Sequence, residues 1–301
     1  MGVLETATGT FLLLIAVQAY QAGATDKAMI AAGANVGLLL TPLVVQAVER
    51  RRIRISHGAA AIAALGTVAF LIAAIFPTLS IYVLAAVFGA ACLSALTPLV
   101  IQVYQDNYPA AQRGHLFSRT TVIRVAAAAV FAELAGRLLT TNIELFRWLL
   151  LFFAAAFALA ALLLRRIPSQ PLTQLESRNP MRGLRYLRED RVFRMTMMVW
   201  MLMGFANLMM TPLRIEYLAN PEYGLALNPQ EIALLIAIIP AVVRLVLSPA
   251  WGWLFDRMNF FVLRITINLA FGASILVFFT GDSWAGLILG SIVFGIAVSG
   301  G

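Results

Sequence analysis

Ten apolar windows, each of roughly 18–25 residues, recur along the chain, and that recurrence limits the fold more than any motif does. The windows fall at 4–25, 28–48, 57–76, 79–104, 117–140, 145–165, 194–218, 230–254, 261–280 and 284–301. At 1.5 Å of rise per residue, such a window crosses the ~30 Å hydrocarbon core of a bilayer. In hydrocarbon every backbone N–H and C=O must be paired within the protein, so windows of this length are helices rather than open strands. Composition agrees: 61% of the residues are hydrophobic and 12% charged, against about 45–50% apolar in a soluble domain. Mean hydropathy is +0.87. The expected fold class is an all-α membrane protein, a polytopic helical bundle. The last window stops at Val298-Ser299-Gly300-Gly301 without a polar tail, so the chain is expected to be truncated after its tenth helix.

The net charge of +8 has two readings, nucleic-acid binding or membrane topology. The basic residues are almost all arginine and lie between apolar windows, which favours topology and gives no nucleic-acid partner. Arg50, Arg51, Arg52 and Arg54 follow the second window, Arg113 and Arg119 the fourth, and Arg257 and Arg264 the eighth. A longer run from Arg165 to Arg194 follows the sixth. The opposite loops hold Lys27, Arg137, Arg147 and Arg214. By the positive-inside rule the arginine-rich loops and the amino terminus are cytoplasmic, in a multi-pass protein of the bacterial inner membrane. The first window lacks the basic start and small-residue cleavage site of a leader, so none is expected. Cys92 lies in an apolar run and permits no internal disulfide.

The polar stretch between windows six and seven divides the chain into a six-helix bundle over 1–165, a linker over 166–193 and a four-helix bundle over 194–301. Pro168, Pro171 and Pro180 break the first part of the linker. Gly183 to Phe193 carries apolar positions at helical spacing with arginines between, as in a helix lying on a membrane surface and drawn to anionic lipid.

The two bundles share an internal repeat. Thr41-Pro42 followed by Glu49-Arg50 recurs 207 residues later as Ser248-Pro249 followed by Asp256-Arg257. Phe88-Gly89-Ala90-Ala91 likewise returns as Phe294-Gly295-Ile296-Ala297. The second copy continues as Gly252-Trp253-Leu254-Phe255-Asp256-Arg257-Met258-Asn259. This loop resembles the cytoplasmic signature Gly-x-Leu-x-Asp-Arg-x-Gly-Arg-Arg of the major facilitator superfamily. Gly252, Leu254, Asp256 and Arg257 match it, whereas Asn259, Phe260 and Phe261 depart from it. Pro109-Ala110-Ala111-Gln112-Arg113-Gly114 is similar to the turn that joins the fourth and fifth helices of these carriers.

The resemblance implies two pseudo-symmetric halves, six plus four helices of which are present, and a secondary active transporter that moves a small solute by alternating access. It implies gating roles for Gly252, Leu254, Asp256 and Arg257, and for the reduced first copy at Glu49 and Arg50. Asp256 would face the positive amino-terminal end of a neighbouring helix, and Gly252 would let backbones approach. Ordinary loop capping within one bundle is the alternative account of Asp256. The fourth helix lacks the arginine usual in proton-driven members and the fifth lacks the Gly-Pro pattern of drug antiporters, so substrate and coupling ion do not follow from the resemblance.

Charges inside a span are costly unless they pair or meet water, which makes Arg124, Glu133, Arg137 and Arg244 the candidates for a site. Glu133 and Arg137 are four apart and can simply pair along one helical face. Arg244 has no local acid and lies near mid-membrane, either as an anion-binding or coupling residue or as a partner of Glu133. Uncharged polar residues such as Gln18, Asn35, Gln102, Asn207 and Asn268 can line a cavity, and the resemblance, which implies that the first, fourth, seventh and tenth helices face its centre, favours Gln18, Gln102 and Asn207 over Asn268. Met195, Met197, Met198, Met201, Met203, Met209 and Met210 crowd the seventh helix and suit either an adaptable pocket or lipid contact. No nucleotide loop, Cys/His cluster or paired acidic motif is present, so the chain is read as a non-enzyme without cofactor or metal. Its expected partners are a small-molecule substrate, anionic or drug-like, and the lipid bilayer, with the protein a monomer. A non-transporting receptor or assembly factor on a carrier fold, or an inactive truncated carrier, is the alternative.

Overall fold

The computed structural model describes residues 1–109, 112–171, 185–255, 257–281 and 283–300. Ten helical rods follow the apolar windows. They are α1 (Gly2–Gln18), α2 (Ala24–Arg50), α3 (Ile55–Ile75), α4 (Leu79–Asn107), α5 (Arg113–Thr141) and α6 (Phe146–Arg166). Then come α7 (Arg191–Ala219), α8 (Pro229–Ala233, Leu234–Ile238 and Ile239–Phe255), α9 (Phe260–Thr280) and α10 (Trp284–Gly300). Seven are long and apolar enough to cross a membrane. α1 and α10 are shorter apolar helices, and α5 is long but carries Arg119, Arg124, Glu133 and Arg137.

Contacts group the chain into two compact units that cut across chain order. The first contains Tyr20–Thr120 and Phe146–Pro212; the second contains Gly2–Ala19, Thr121–Leu145 and Leu213–Gly301. The division over 1–165, 166–193 and 194–301 concerns the ancestry of the halves, which such packing does not address.

In the first unit α3 packs on α4 and α6, and α2 packs on α4. A Cβ on Gly33 would lie 2.9 Å from Val87 Cα, and one on Gly37 would run into the backbone of Ala91. Glycines four apart therefore let two helix backbones touch, the usual means of helix association where lipid removes the hydrophobic drive. Phe70, Phe153 and Phe157 fill the α3–α4–α6 core, with ring centroids 5.7–5.8 Å apart.

The linker begins as a strap on this unit. Ser56 N–H donates to Ser169 Oγ at 2.9 Å, and Ser169 Oγ donates to Ser56 Oγ at 2.8 Å, so a hydroxyl remote in sequence caps the start of α3. Ile55 N–H donates to the Gln170 carbonyl at 3.4 Å and Asn107 Nδ2 to the Pro168 carbonyl at 2.9 Å. Residues 172–184 lie outside the described residues. Of the expected surface helix, the described part is one turn, Tyr186–Glu189. Asp190 Oδ1 then accepts from Phe193 N–H at 3.0 Å and starts α7, so Arg191–Phe193 belong to the spanning helix.

The second unit is built on α8, α9 and α10, with α1 and most of α5. A π turn interrupts α1 at Ala7–Phe11 and another interrupts α8 at Leu234–Ile238, and the two turns touch. Such turns widen a helix and free backbone groups, and they are common at functional positions. Asn228 and Glu231 form a capping box at the start of α8 with Pro229 at its first position.

The repeat has a structural counterpart. Thr41 Oγ1 donates to the Gly37 carbonyl at 3.0 Å just before Pro42, and Ser248 Oγ donates to the Arg244 carbonyl at 2.7 Å just before Pro249. Each hydroxyl bonds back one turn beside the ladder position that proline leaves empty.

Candidate functional site

Arg244 sits in α8 on the turn before Pro249, half-buried. Among the described residues its guanidinium makes neither an ion pair nor a hydrogen bond; only its carbonyl is engaged, by Ser248 Oγ. The expected alternative, a pair with Glu133, is not formed. Glu133 Oε1 accepts from Arg137 Nε at 2.6 Å and from Gln230 Nε2 at 2.9 Å. Helical spacing alone brings Arg137 to that acid, so the simpler pairing prevails.

Gln230 belongs to a seam between α5 and α8. Its N–H donates to Thr140 Oγ1 at 3.0 Å, and Thr140 Oγ1 lies 3.5 Å from Asn228 Oδ1. A Cβ on Gly136 would stand 2.9 Å from Gln230 Cα, so only glycine lets the helices meet there. Gln18 joins the same end, its Nε2 donating to the Leu227 carbonyl at 3.2 Å. Gln18 is thereby spent on a loop rather than offered to a cavity.

Arg124 Nη1 lies 3.1 Å from Glu5 Oε1, a pair between α5 and α1. Sequence reasoning missed it because the partners are 119 positions apart and Glu5 reads as a surface acid. Gln102 Nε2 donates to Asp106 Oδ1 at 3.0 Å along α4. Asn207 is in α7, but its side chain lies outside the described set. Met195, Met198, Met201 and Met209 are all more than half exposed and Met210 is buried, so most of this methionine face is turned outward.

At the gating loop, Asp256 lies outside the described residues, as does the local environment of Gly252. The Leu254 carbonyl accepts from the N–H groups of Arg257 at 3.1 Å and Met258 at 2.9 Å, closing the last turn of α8. The Arg257 guanidinium sits 4.1 Å over the Trp253 ring, a cation–π contact within the loop. Asn259, which departs from the family pattern, caps α9 by accepting from Phe261 N–H at 2.9 Å. In the first copy Glu49 and Arg50 end α2, with Arg50 exposed, and the Glu49 carbonyl accepts from Arg52 N–H at 2.9 Å.

The residue that sequence reasoning placed wrongly is Arg214. It was read as a loop cation, yet it is inside α7 and 2% exposed. Its guanidinium lies 4.2 Å from the Phe278 ring centroid and 4.3 Å from that of Phe294, and Nη2 reaches Ser291 Oγ at 3.4 Å. Two ring faces from α9 and α10 take the place of a carboxylate. The available signal was its position inside the 194–218 window, where a cation is costly unless it is paired or stacked.

A groove of about 420 Å³ between α3 and α4 is lined by Leu65, Val68, Ile72, Ile81, Leu84 and Phe88 among others and is wholly apolar. It offers nothing to a polar solute.

The sequence profile of the Major Facilitator Superfamily matches residues 1–301. The chain belongs to that superfamily. It is a multi-pass membrane protein and a secondary transporter, and its relatives in fold are transporters rather than enzymes. This facilitator is similar in structure to the nucleoside transporter NupG at a TM-score of 0.74 and 15% identity, covering 99% of this chain and 77% of that one. It is similar to a single-substitution mutant of NupG at a TM-score of 0.73 and 16% identity, over 99% and 77%. A D-xylose-proton symporter follows at 0.58 and 14% identity, over 99% and 78%. At such identities the likeness establishes the facilitator fold and leaves the cargo open. No curated protein matches this facilitator by sequence.

Proposed function

We propose that this facilitator moves a small solute bearing a carboxylate or phosphate across the bacterial inner membrane, as a monomer with its amino terminus in the cytoplasm. Arg244 is the residue that recognises the anion. One observation carries this reading: a guanidinium inside a spanning helix with no protein partner among the described residues. Such a group is costly in hydrocarbon and is retained where it meets water or cargo. The solved transporters of like fold are named for a nucleoside and for D-xylose with a proton. An unpaired guanidinium favours an anionic cargo over such neutral ones.

Alternating access needs two ends that close in turn. The α5–α8 seam at Gly136, Thr140, Asn228 and Gln230 would close the outer end. Asp256, with Gly252, Leu254 and Arg257 and the first copy Glu49–Arg50, would govern the inner one. Asp256→Asn is expected to shift the equilibrium toward the inward-open state by about 1 kcal/mol, the worth of a charge at a helix end. Cysteine crosslinking across the inner end reads this, and unchanged crosslinking rejects the gate.

For the cargo, thermal stabilisation of the purified chain is screened with carboxylates, organic phosphates, sugars and nucleosides. Anionic solutes are expected to stabilise the wild type, and Arg244→Lys to bind them roughly tenfold more weakly because the forked contact is lost. Stabilisation by neutral solutes alone, or a full anion response in Arg244→Ala, refutes the assignment.

A further inference from the structure

Arginines that the chain delivers from two distant places meet at one end of the first unit. Arg50, Arg51, Arg52 and Arg54 leave α2 and lead into α3, while Arg165 and Arg166 end α6. The strap joins the two groups: Arg54 bridges Pro171, Ile55 bonds to Gln170, and Ser56 bonds to Ser169, three residues beyond Arg166. All six arginines are exposed. Among the described residues none of their guanidiniums makes an ion pair or hydrogen bond. Asp106, at the neighbouring end of α4, is engaged by Gln102, and Glu49 is the acid beside Arg50.

The backbone is also bent to make this cluster. Arg52 has φ +51°, a left-handed conformation unfavourable for any residue with a Cβ. Glycine is the ordinary residue at such a turn. An arginine here accepts backbone strain, and the strain turns the chain so that Arg54 reaches the strap. Gln21 and Ala226 share the left-handed geometry elsewhere, so the turn only fixes where these arginines stand, and it is their unpaired charge gathered on one strap that marks a binding surface.

We propose that this cluster is a docking surface for the headgroups of anionic phospholipids, held in register across α2, α3 and α6 by the Pro168–Pro171 strap. The occupant follows from charge and place. The arginines stand at the ends of spanning helices, where the ligand at hand is a phosphodiester, and guanidiniums bind phosphate oxygens in pairs of parallel hydrogen bonds. Docking would tie the start of the linker to the first unit and so stabilise the folded chain.

The test uses the whole chain in a neutral detergent, with Tm read while phosphatidylglycerol, phosphatidylcholine or soluble glycerol phosphate is added. Phosphatidylglycerol is expected to raise Tm and phosphatidylcholine to leave it unchanged. The rise should vanish near 1 M salt, where the Debye length falls to about 3 Å. Arg165→Gln with Arg166→Gln should lose most of the rise, and Arg147→Gln, exposed at the opposite end of α6, should keep it. Arg52→Gly is the decisive variant, because glycine relieves the left-handed turn: the protein stays folded without lipid, yet its rise falls below half. An equal rise with phosphatidylcholine, a full rise in Arg52→Gly, or a loss in Arg147→Gln equal to that in the Arg165–Arg166 variant overturns the proposal. An equal response to glycerol phosphate assigns the surface to free anions and overturns the lipid.

Discussion

The first unit is joined by shape and the second by charge. In the first, α2 and α4 meet through Gly33 and Gly37 and α3 and α6 through rings, while the Arg185–Glu189 ion pair lies on the surface within one turn. In the second, Glu5–Arg124, Glu133–Arg137–Gln230 and the Arg214–Phe278–Phe294 stack tie helices together, and Arg244 is left unpaired. Apolar close packing depends on sub-ångström fit and forms one arrangement. Polar contacts can exchange one partner for another, as a carrier that alternates between states requires. The contrast teaches where to look for motion and cargo: in the polar unit.

The largest effect should come from breaking the packed unit. Gly37→Leu drives a side chain into the Ala91 backbone and should cost about 3 kcal/mol or more, seen as lost monodisperse yield on size-exclusion chromatography. Wild-type yield and Tm would mean that the α2–α4 contact is dispensable. In the polar unit, Arg214→Leu removes a desolvated cation stacked on two rings and should lower stability by about 2 kcal/mol. A double-mutant cycle with Phe294→Leu measures the coupling, and a coupling near zero would show that the ring does not hold the charge.

Ser169→Ala deletes the remote cap of α3 and should cost about 1 kcal/mol, with faster amide exchange at Ser56. Unaltered exchange there would leave the strap without a stabilising role. The smallest stability change should belong to the residue proposed to bind the cargo. Arg244→Leu exchanges a half-buried, unpaired guanidinium for an apolar side chain and should move stability by under about 0.5 kcal/mol while abolishing anion-dependent stabilisation. A destabilisation matching that of Arg214→Leu would make Arg244 structural and erase the contrast between the two arginines.

Much of the fold was legible because helix formation in a bilayer is dictated locally. Length and apolarity set the spans, Asn228-Pro229 and Asn259 mark helix starts, and the Thr41-Pro42 and Ser248-Pro249 repeat keeps its hydroxyl bond in both copies. The Glu133–Arg137 pair was equally readable from spacing. The superfamily could be read from a loop of eight residues and its faint first copy. What remained hidden required helices far apart in sequence to meet. Glu5 became the partner of Arg124, Gln18 was taken by Leu227, and Ser169 became the cap of α3. The two isolated arginines show the reason most clearly. In the sequence Arg244 stands mid-helix without a local acid, whereas Arg214 stands near a helix end and reads as a loop cation. Whether a cation meets an aromatic face or remains unpaired depends on the rotation and neighbours of its helix, which no local pattern encodes and which only packing decided.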